Sequence, residues 1–347
     1  MGYKTIILSA FLVMTFLSCK DSAKNNDPNS AEALSAVTTT YDNIYENPAY
    51  IEVYNEYVTY LNDITSSYDA SQTYYFNAFP DDYPENLKGS PSLVTISDYP
   101  DDHLERALRA DLKIESLEKP AQTVNEYILT LRRLMNHADG YYERQEYLDD
   151  AAKRGKSLHD SIVPAFFNLN EAVGEFRDQI TAIEQKMTAV ELENYKNEGL
   201  NLRYSLLKII TIARETRAFT QVETMDEYAN LELKNVVDVR KRLSENIQEL
   251  EKSASDKSQF TREFGSNSTA EGYYNFGFKR ASNDLVKHLR SLEQRLKTDD
   301  FEPEIPNNTP SGIQSMMIKQ FYNGDGMPQM IMETEGKLIE AYNDIIN

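Results

Sequence analysis

The chain has 347 residues, 40% of them hydrophobic, enough for a sizeable packed core in one large or two small domains. Its formal net charge is −20, which repels phosphate backbones and excludes nucleic-acid binding from the expected functions. With 13 glycines and 12 prolines it is poor in turn formers, and its single cysteine, Cys19, rules out an internal disulfide.

Lys4 precedes an apolar run from Ile6 to Leu17 that only Ser9 and Thr15 interrupt. About twelve apolar residues are too few to span a bilayer but suit the core of a signal peptide. An ordinary cleavage site wants small residues at −3 and −1, and a cut after Ser18 would put bulky Phe16 at −3. Phe16-Leu17-Ser18-Cys19 resembles a bacterial lipobox, with Phe where Leu is usual. The expectation is therefore a lipoprotein signal peptide over 1–18 and acyl chains, palmitate among them, on Cys19. Removing residues 1–18, which carry one Lys and no acid, takes the charge to −21. Two or three acyl chains would anchor stably where one anchors only reversibly. Lys20 stands where Asp would favour inner-membrane retention, so the expected location is the outer membrane of a Gram-negative cell, on its periplasmic face or the cell surface. Residues 19–41 read as lipidated cysteine and flexible tether, rich in Lys, Asp and Asn with little to bury.

From residue 42 to 347 the pattern is that of a helical domain. Tyr50, Tyr54, Tyr57, Leu61, Ile64, Tyr68, Tyr75 and Phe79 recur at three-and-four spacing and predict a long amphipathic helix. Pro80, Pro84, Gly89, Pro91 and Pro100 break it, with Leu93, Val94 and Ile96 as one short extended piece. A second helix is expected from Asp101-Asp102 to about Glu118. A third starts with Pro120 in its first turn and carries Val124, Ile128, Leu131 and Met135. A fourth opens at Asp149-Asp150 and runs through Leu158, Ile162, Phe166, Phe176 and Met187, with a kink expected at Pro164. Leu202, Leu206, Ile209 and Ala213, then Val236, Val239, Leu243, Ile247 and Leu250, continue the pattern. A serine-rich break over 253–272 separates these from Tyr274 to Leu296. A last stretch holds Ile313, Met317 and Phe321, an interruption at Asn323–Gly326, and Leu338, Tyr342 and Ile345. Sustained period-two alternation is missing, so the predicted class is all-α, an elongated bundle of long antiparallel helices joined by Pro/Gly-rich loops.

The chemistry-bearing residues form no recognisable catalytic set. None of His103, His137, His159 and His288 lies in a Glu-x-x-His or His-Glu-x-x-His motif. Asp284 and His288, one turn apart, supply two metal ligands and not a site. The acid pairs at 81–82, 101–102, 149–150 and 299–300 suit helix N-caps better than calcium or acid–base chemistry. Asn323, Asp325 and Gly326 hint at a calcium loop without its full ligand series. No serine triad motif or phosphate loop is present. The expectation is a non-enzyme without metal or cofactor. The tyrosines at 50, 54, 57 and 68 fit core positions with their hydroxyls at the rim better than a sugar-stacking platform.

One stretch is more specific: Tyr141-Tyr142, Tyr147, Asp149-Asp150-Ala151, Gly155-Lys156 and Leu158-His159. In residue order and spacing it resembles the signature segment of the YiiG-like lipoproteins, and a weaker likeness runs from about residue 50 to the end. The resemblance implies an exported, lipid-anchored helical domain of unknown function and supplies no reaction, ligand or catalytic residue. Physically the segment reads as a helix–turn–helix corner, with Tyr147 as a staple, Asp149 as the cap and Gly155 allowing a close helix approach. A polar pocket built from Tyr142, Asp150, Lys156 and His159 is the sharper alternative. Two functions are therefore expected: a membrane-tethered interaction or scaffold protein for an unknown protein or envelope polymer, or a sugar- or small-ligand-binding lipoprotein with a tyrosine-lined pocket.

Overall fold

The computed structural model of the protein describes residues 43–79, 83–84, 87, 89–96, 101–222, 224–266, 268–307 and 309–346. The leader, Cys19 and tether expected over 1–41, and the acid pair at 81–82, lie outside them. The fold is all-α, about 80% helical, with no strand among the described residues. Residues 91–96 take no regular structure, although Ile96 is buried. The described residues divide into two compact units between Met187 and Thr188.

The first unit, residues 43–187, contains α1 (Pro48–Ala78), α2 (Asp101–Arg109), α3 (Glu115–Glu143) and most of α4 (Lys153–Asn197). Pro48 sits in the first turn of α1, where its missing N–H is no loss, and the Asn47 side chain accepts from Ala49 N at 3.0 Å. The expected seam from Tyr50 to Tyr75 is buried along its length. Tyr57 and Tyr60 meet Phe176 of α4 at 6.2 Å between ring centres. Burying a large apolar side chain contributes about 1.5–3 kcal/mol, so this stripe, not helix propensity, fixes α1 in place.

Two boundaries differ from expectation. Helix α2 stops at Arg109 instead of Glu118, and α3 begins at Glu115, so Pro120 lies inside α3 instead of in its first turn. The reason is the seam of α3. Leu117, Ala121, Val124, Ile128, Leu131, Met135 and Ala138 are all buried at alternating steps of three and four, and including Leu117 outweighs the proline's cost. Helix α4 continues through Pro164, which is exposed.

Asp69 of α1 is half-buried, and burial lifts its pKa to about 6 against the opposing pull of Arg177. An unfolded aspartate titrates near 3.9. Between about pH 4 and pH 6 the folded state therefore holds more protons than the unfolded state, and stability falls as pH rises across that window. Above it the ionised carboxylate carries the full cost. Asp69→Asn is expected to raise stability at pH 7 by about 1 kcal/mol, after discounting for solvent screening, and to give no gain below about pH 4. Urea denaturation at the two pH values checks this, and an equal gain at both would rule out the assigned cause.

The second unit, residues 188–347, starts within α4 and contains α5 (Asn201–Arg214), α6 (Arg217–Thr220), α7 (Met225–Ala229), α8 (Leu233–Ala254), α9 (Lys257–Phe264), α10 (Ala270–Tyr273), α11 (Lys279–Thr298), α12 (Ser311–Tyr322) and α13 (Pro328–Ile346). Helix α8 packs on α5 and α11, and α13 packs on α11 and α5. The expected stripes bury as written: Val236 to Leu250 on α8, Leu285 and Leu292 on α11, Leu338 to Ile345 on α13. Residues 274–278 form a π-helical turn ahead of α11. Within the break expected at 253–272, α9 is a helix of its own. Asp256 caps it by accepting from Ser258 N at 3.0 Å, and Phe260 and Glu263 are buried.

Two junctions show how the turns are made. Gly199, at φ +69°, ends α4, and Leu200 N bonds back to Tyr195 O at 2.8 Å, the left-handed stop that glycine allows. The first turn of α5 has no cap of its own. Glu263, its side chain fully buried, reaches from α9 and accepts from Leu202 N at 3.2 Å and Arg203 N at 3.0 Å. Partly buried ion pairs join further helices, with Arg217 to Glu335 at 2.7 Å and Arg240 to Glu293 at 2.8 Å.

Candidate functional site

The segment singled out in the sequence is the corner between α3 and α4. Helix α3 ends on Tyr141 and Tyr142, a 3-10 turn follows at Glu146–Leu148, and α4 starts at Lys153. Gln145, Ala151 and Ala152 all have positive φ, from 52° to 60°. Left-handed backbone at a residue with a Cβ costs roughly 1–2 kcal/mol, so something must hold the turn. Asp150 does. One of its oxygens accepts from Arg154 N at 3.0 Å and the other from the Tyr141 hydroxyl at 2.8 Å. Partial burial works against its ionisation, but the Tyr141 hydroxyl and the backbone N–H groups of Arg154, Ala152 and Lys153 hold its pKa below the ordinary aspartate value. The cap is thus Asp150 and not Asp149, which is exposed. The left-handed Ala151 and Ala152 aim the later acid at the free N–H groups of α4.

Behind the corner lies an aromatic cluster. The Tyr75 hydroxyl bonds His159 Nδ1 at 2.9 Å, and the two rings stack at 5.8 Å between centres. Tyr83 stacks on Phe79 at 5.4 Å and lies 5.7 Å from the His159 ring. The Tyr142 hydroxyl donates to the Tyr83 oxygen at 3.2 Å, and the Ser90 hydroxyl donates to the Tyr142 carbonyl at 2.8 Å. Tyr147 packs on Tyr142 of the preceding helix α3 at 6.3 Å between ring centres. Gly155 is pressed against Tyr83, since a Cβ built on it would meet the Tyr83 Oη at 2.1 Å. The close approach that Gly155 allows is therefore to a loop tyrosine.

Of the four expected pocket residues, Tyr142, Asp150 and His159 belong to this one network, linked through Tyr83 and Tyr141, while Lys156 is exposed. Tyr142 and His159 are buried. Burial pushes the phenols of Tyr75 and Tyr142 well above their ordinary values, and the bond to Tyr83 raises Tyr142 further. Tyr141 rises to about 12, first through burial and then through its bond to Asp150. At neutral pH these phenols are hydrogen-bond donors and not bases. The arrangement binds α1, the proline-rich segment, α3 and α4 into one corner. Tyr83 was hidden in the sequence because it stands between Pro80 and Pro84 in a stretch that reads only as a break. An aromatic in a proline-rich break was the available signal.

Two of the other histidines face carboxylates. His103 bonds Glu56 at 2.7 Å, and Arg106 joins the same carboxylate at 3.0 Å, tying α2 to α1. His137 is exposed. Buried His288 faces Asp325 at 3.4 Å, while Asp284 lies 3.7 Å from Arg280. Desolvation lowers the His288 pKa. Among the described residues no group of three or more His, Cys, Asp or Glu could hold a metal ion, and no helix is long and apolar enough to cross a membrane.

Comparison with known proteins agrees with the resemblance carried by this segment. Over 222 residues the chain is 21% identical to the Escherichia coli (strain K12) protein named "Uncharacterized protein YiiG", covering 62% of this chain and 54% of that one. The chain thus spans about half the length of that relative. No solved structure matches it. The model of the family described as "Protein of unknown function (DUF3829)" matches residues 48–344, from the first turn of α1 nearly to the end of α13. By that match the protein belongs to the DUF3829 family.

Proposed function

We propose that this protein is an exported, lipid-anchored, non-enzymatic interaction or scaffold protein of the cell envelope, held by acyl chains on Cys19. The observation that carries the reading is the set of large apolar side chains exposed on a strongly acidic chain: Phe276 at 87%, Leu148 at 68% and Phe167 at 59%. Each of them is an apolar anchor of the kind that a partner protein or envelope polymer covers. The lipobox-like Phe16–Cys19 and the Lys after it support anchoring at the outer membrane, on its periplasmic face or the cell surface.

Two measurements test the proposal. Mass spectrometry of the mature chain is expected to find acyl chains on Cys19, and Cys19→Ser is expected to move the protein into the soluble fraction. A mature chain with an unmodified thiol would end the anchoring half. Crosslinking in cells is expected to capture a defined partner that Phe276→Ser or Leu148→Ser weakens about tenfold or more, the loss of one buried apolar anchor. Capture unchanged in both variants would remove the assigned surface.

A further inference from the structure

Residues 305–324 contain no aspartate or glutamate and a single basic residue, Lys319, although the chain carries 56 acids. Helix α12 occupies this acid-free stretch. It is rich in apolar residues, yet none of its residues is buried. Ile313 is 47% exposed, Met316 60% and Ile318 37%. Pro310 precedes the helix, and the Arg295 guanidinium sits 4.8 Å over the Phe321 ring at its far end. Met317 and Phe321, four residues apart, are half-buried and mark the inward side of α12, which leaves Ile313 and Met316 exposed on the outward side.

The charge pattern selects among possible occupants. A second copy brings another −20, and the two bodies repel. A zwitterionic phospholipid surface brings no net charge. Its phosphates oppose acidic side chains, which α12 lacks, and accept a lysine, which it has. We infer that α12 docks on a phospholipid surface, seating Ile313 and Met316, one turn apart on its exposed face, at the boundary between headgroups and acyl chains. This rests on the lipid-anchored reading above. A twelve-residue helix binds lipid weakly by itself, but a covalent anchor on the same chain makes the second contact intramolecular.

The chain has no tryptophan, so one introduced residue reports alone. The full lipidated chain carrying Met316→Trp is reconstituted in phosphatidylethanolamine–phosphatidylcholine vesicles, with and without brominated acyl chains. Phe276→Trp, at an exposed site outside α12, is the control. Most of the emission from the Met316→Trp chain is expected to be quenched by the brominated lipid, with little loss from the control. Adding Ile313→Asp should restore the emission. Ile313, Met316 and Phe276 are all exposed, so these changes leave the core intact. A chain that floats with the vesicles but is not quenched at position 316 overturns the docking and leaves the anchor standing. Equal quenching at both positions means general adsorption and also overturns it. A blue shift that grows with protein concentration in the absence of lipid assigns the helix to a second copy instead. Quenching at position 316 in a Cys19→Ser chain would keep the docking and show that it holds without the anchor.

Discussion

Gly326→Ala is expected to destabilise the second unit by about 2–5 kcal/mol, the sum of left-handed strain and overpacking. Gly326 sits in the turn between α12 and α13 at φ +80°. A Cβ there would lie 2.5 Å from Leu292 N and 2.7 Å from the Ser291 carbonyl carbon. These are backbone atoms inside α11, so no side-chain rotation relieves the clash. The Gly326 carbonyl also accepts from the buried Tyr228 hydroxyl at 2.8 Å, and any shift of the turn loosens that bond. Against a typical total of about 5–15 kcal/mol, the loss is enough to threaten folding. Gly174→Ala is the internal control. A Cβ at that site in α4 meets nothing within 4 Å, so the change is expected to stabilise by up to about 1 kcal/mol. Thermal unfolding followed by circular dichroism compares the two. A Gly326→Ala protein that melts with the wild type contradicts the packing described.

The second large effect concerns the corner. Gly155→Ala is expected to cost about 1–3 kcal/mol through overpacking. The new methyl would collide with Tyr83 Oη at 2.1 Å and Tyr141 Cε1 at 3.0 Å. Tyr83 is the softer neighbour, because it lies outside any helix. Expelling it breaks the 3.2 Å bond from the Tyr142 hydroxyl and unstacks the ring from Phe79. A double-mutant cycle isolates the cause. In a Tyr83→Ala background the cost of Gly155→Ala should nearly vanish, and a cost unchanged there would show that Tyr83 is not what Gly155 accommodates.

Most of the helices were legible because burial follows periodicity. The tyrosine seam of α1 and the stripes of α8 and α13 needed only three-and-four spacing. Boundaries were less legible where two rules conflicted. Pro120 suggested a helix start, but the buried Leu117 extends α3 back past it. Helix α9 was hidden by serine-rich composition, although Asp256 before Phe260 carried its start signal. At the corner, the tyrosine pair and acid pair marked the right segment. Which aspartate caps, and which tyrosine covers Gly155, depended on the left-handed alanines and on a loop that folds back from distant sequence.

The carboxylate that closes the start of α5 belongs to a residue 60 positions or more away along the chain. Bringing such distant segments together costs about 3–4 kcal/mol of chain entropy before the first bond forms. The opening turn of α5 should consequently order late in folding, after α9 has docked. In the full chain, Glu263→Ala should leave that turn exchanging its amide hydrogens freely while the rest of α5 stays protected.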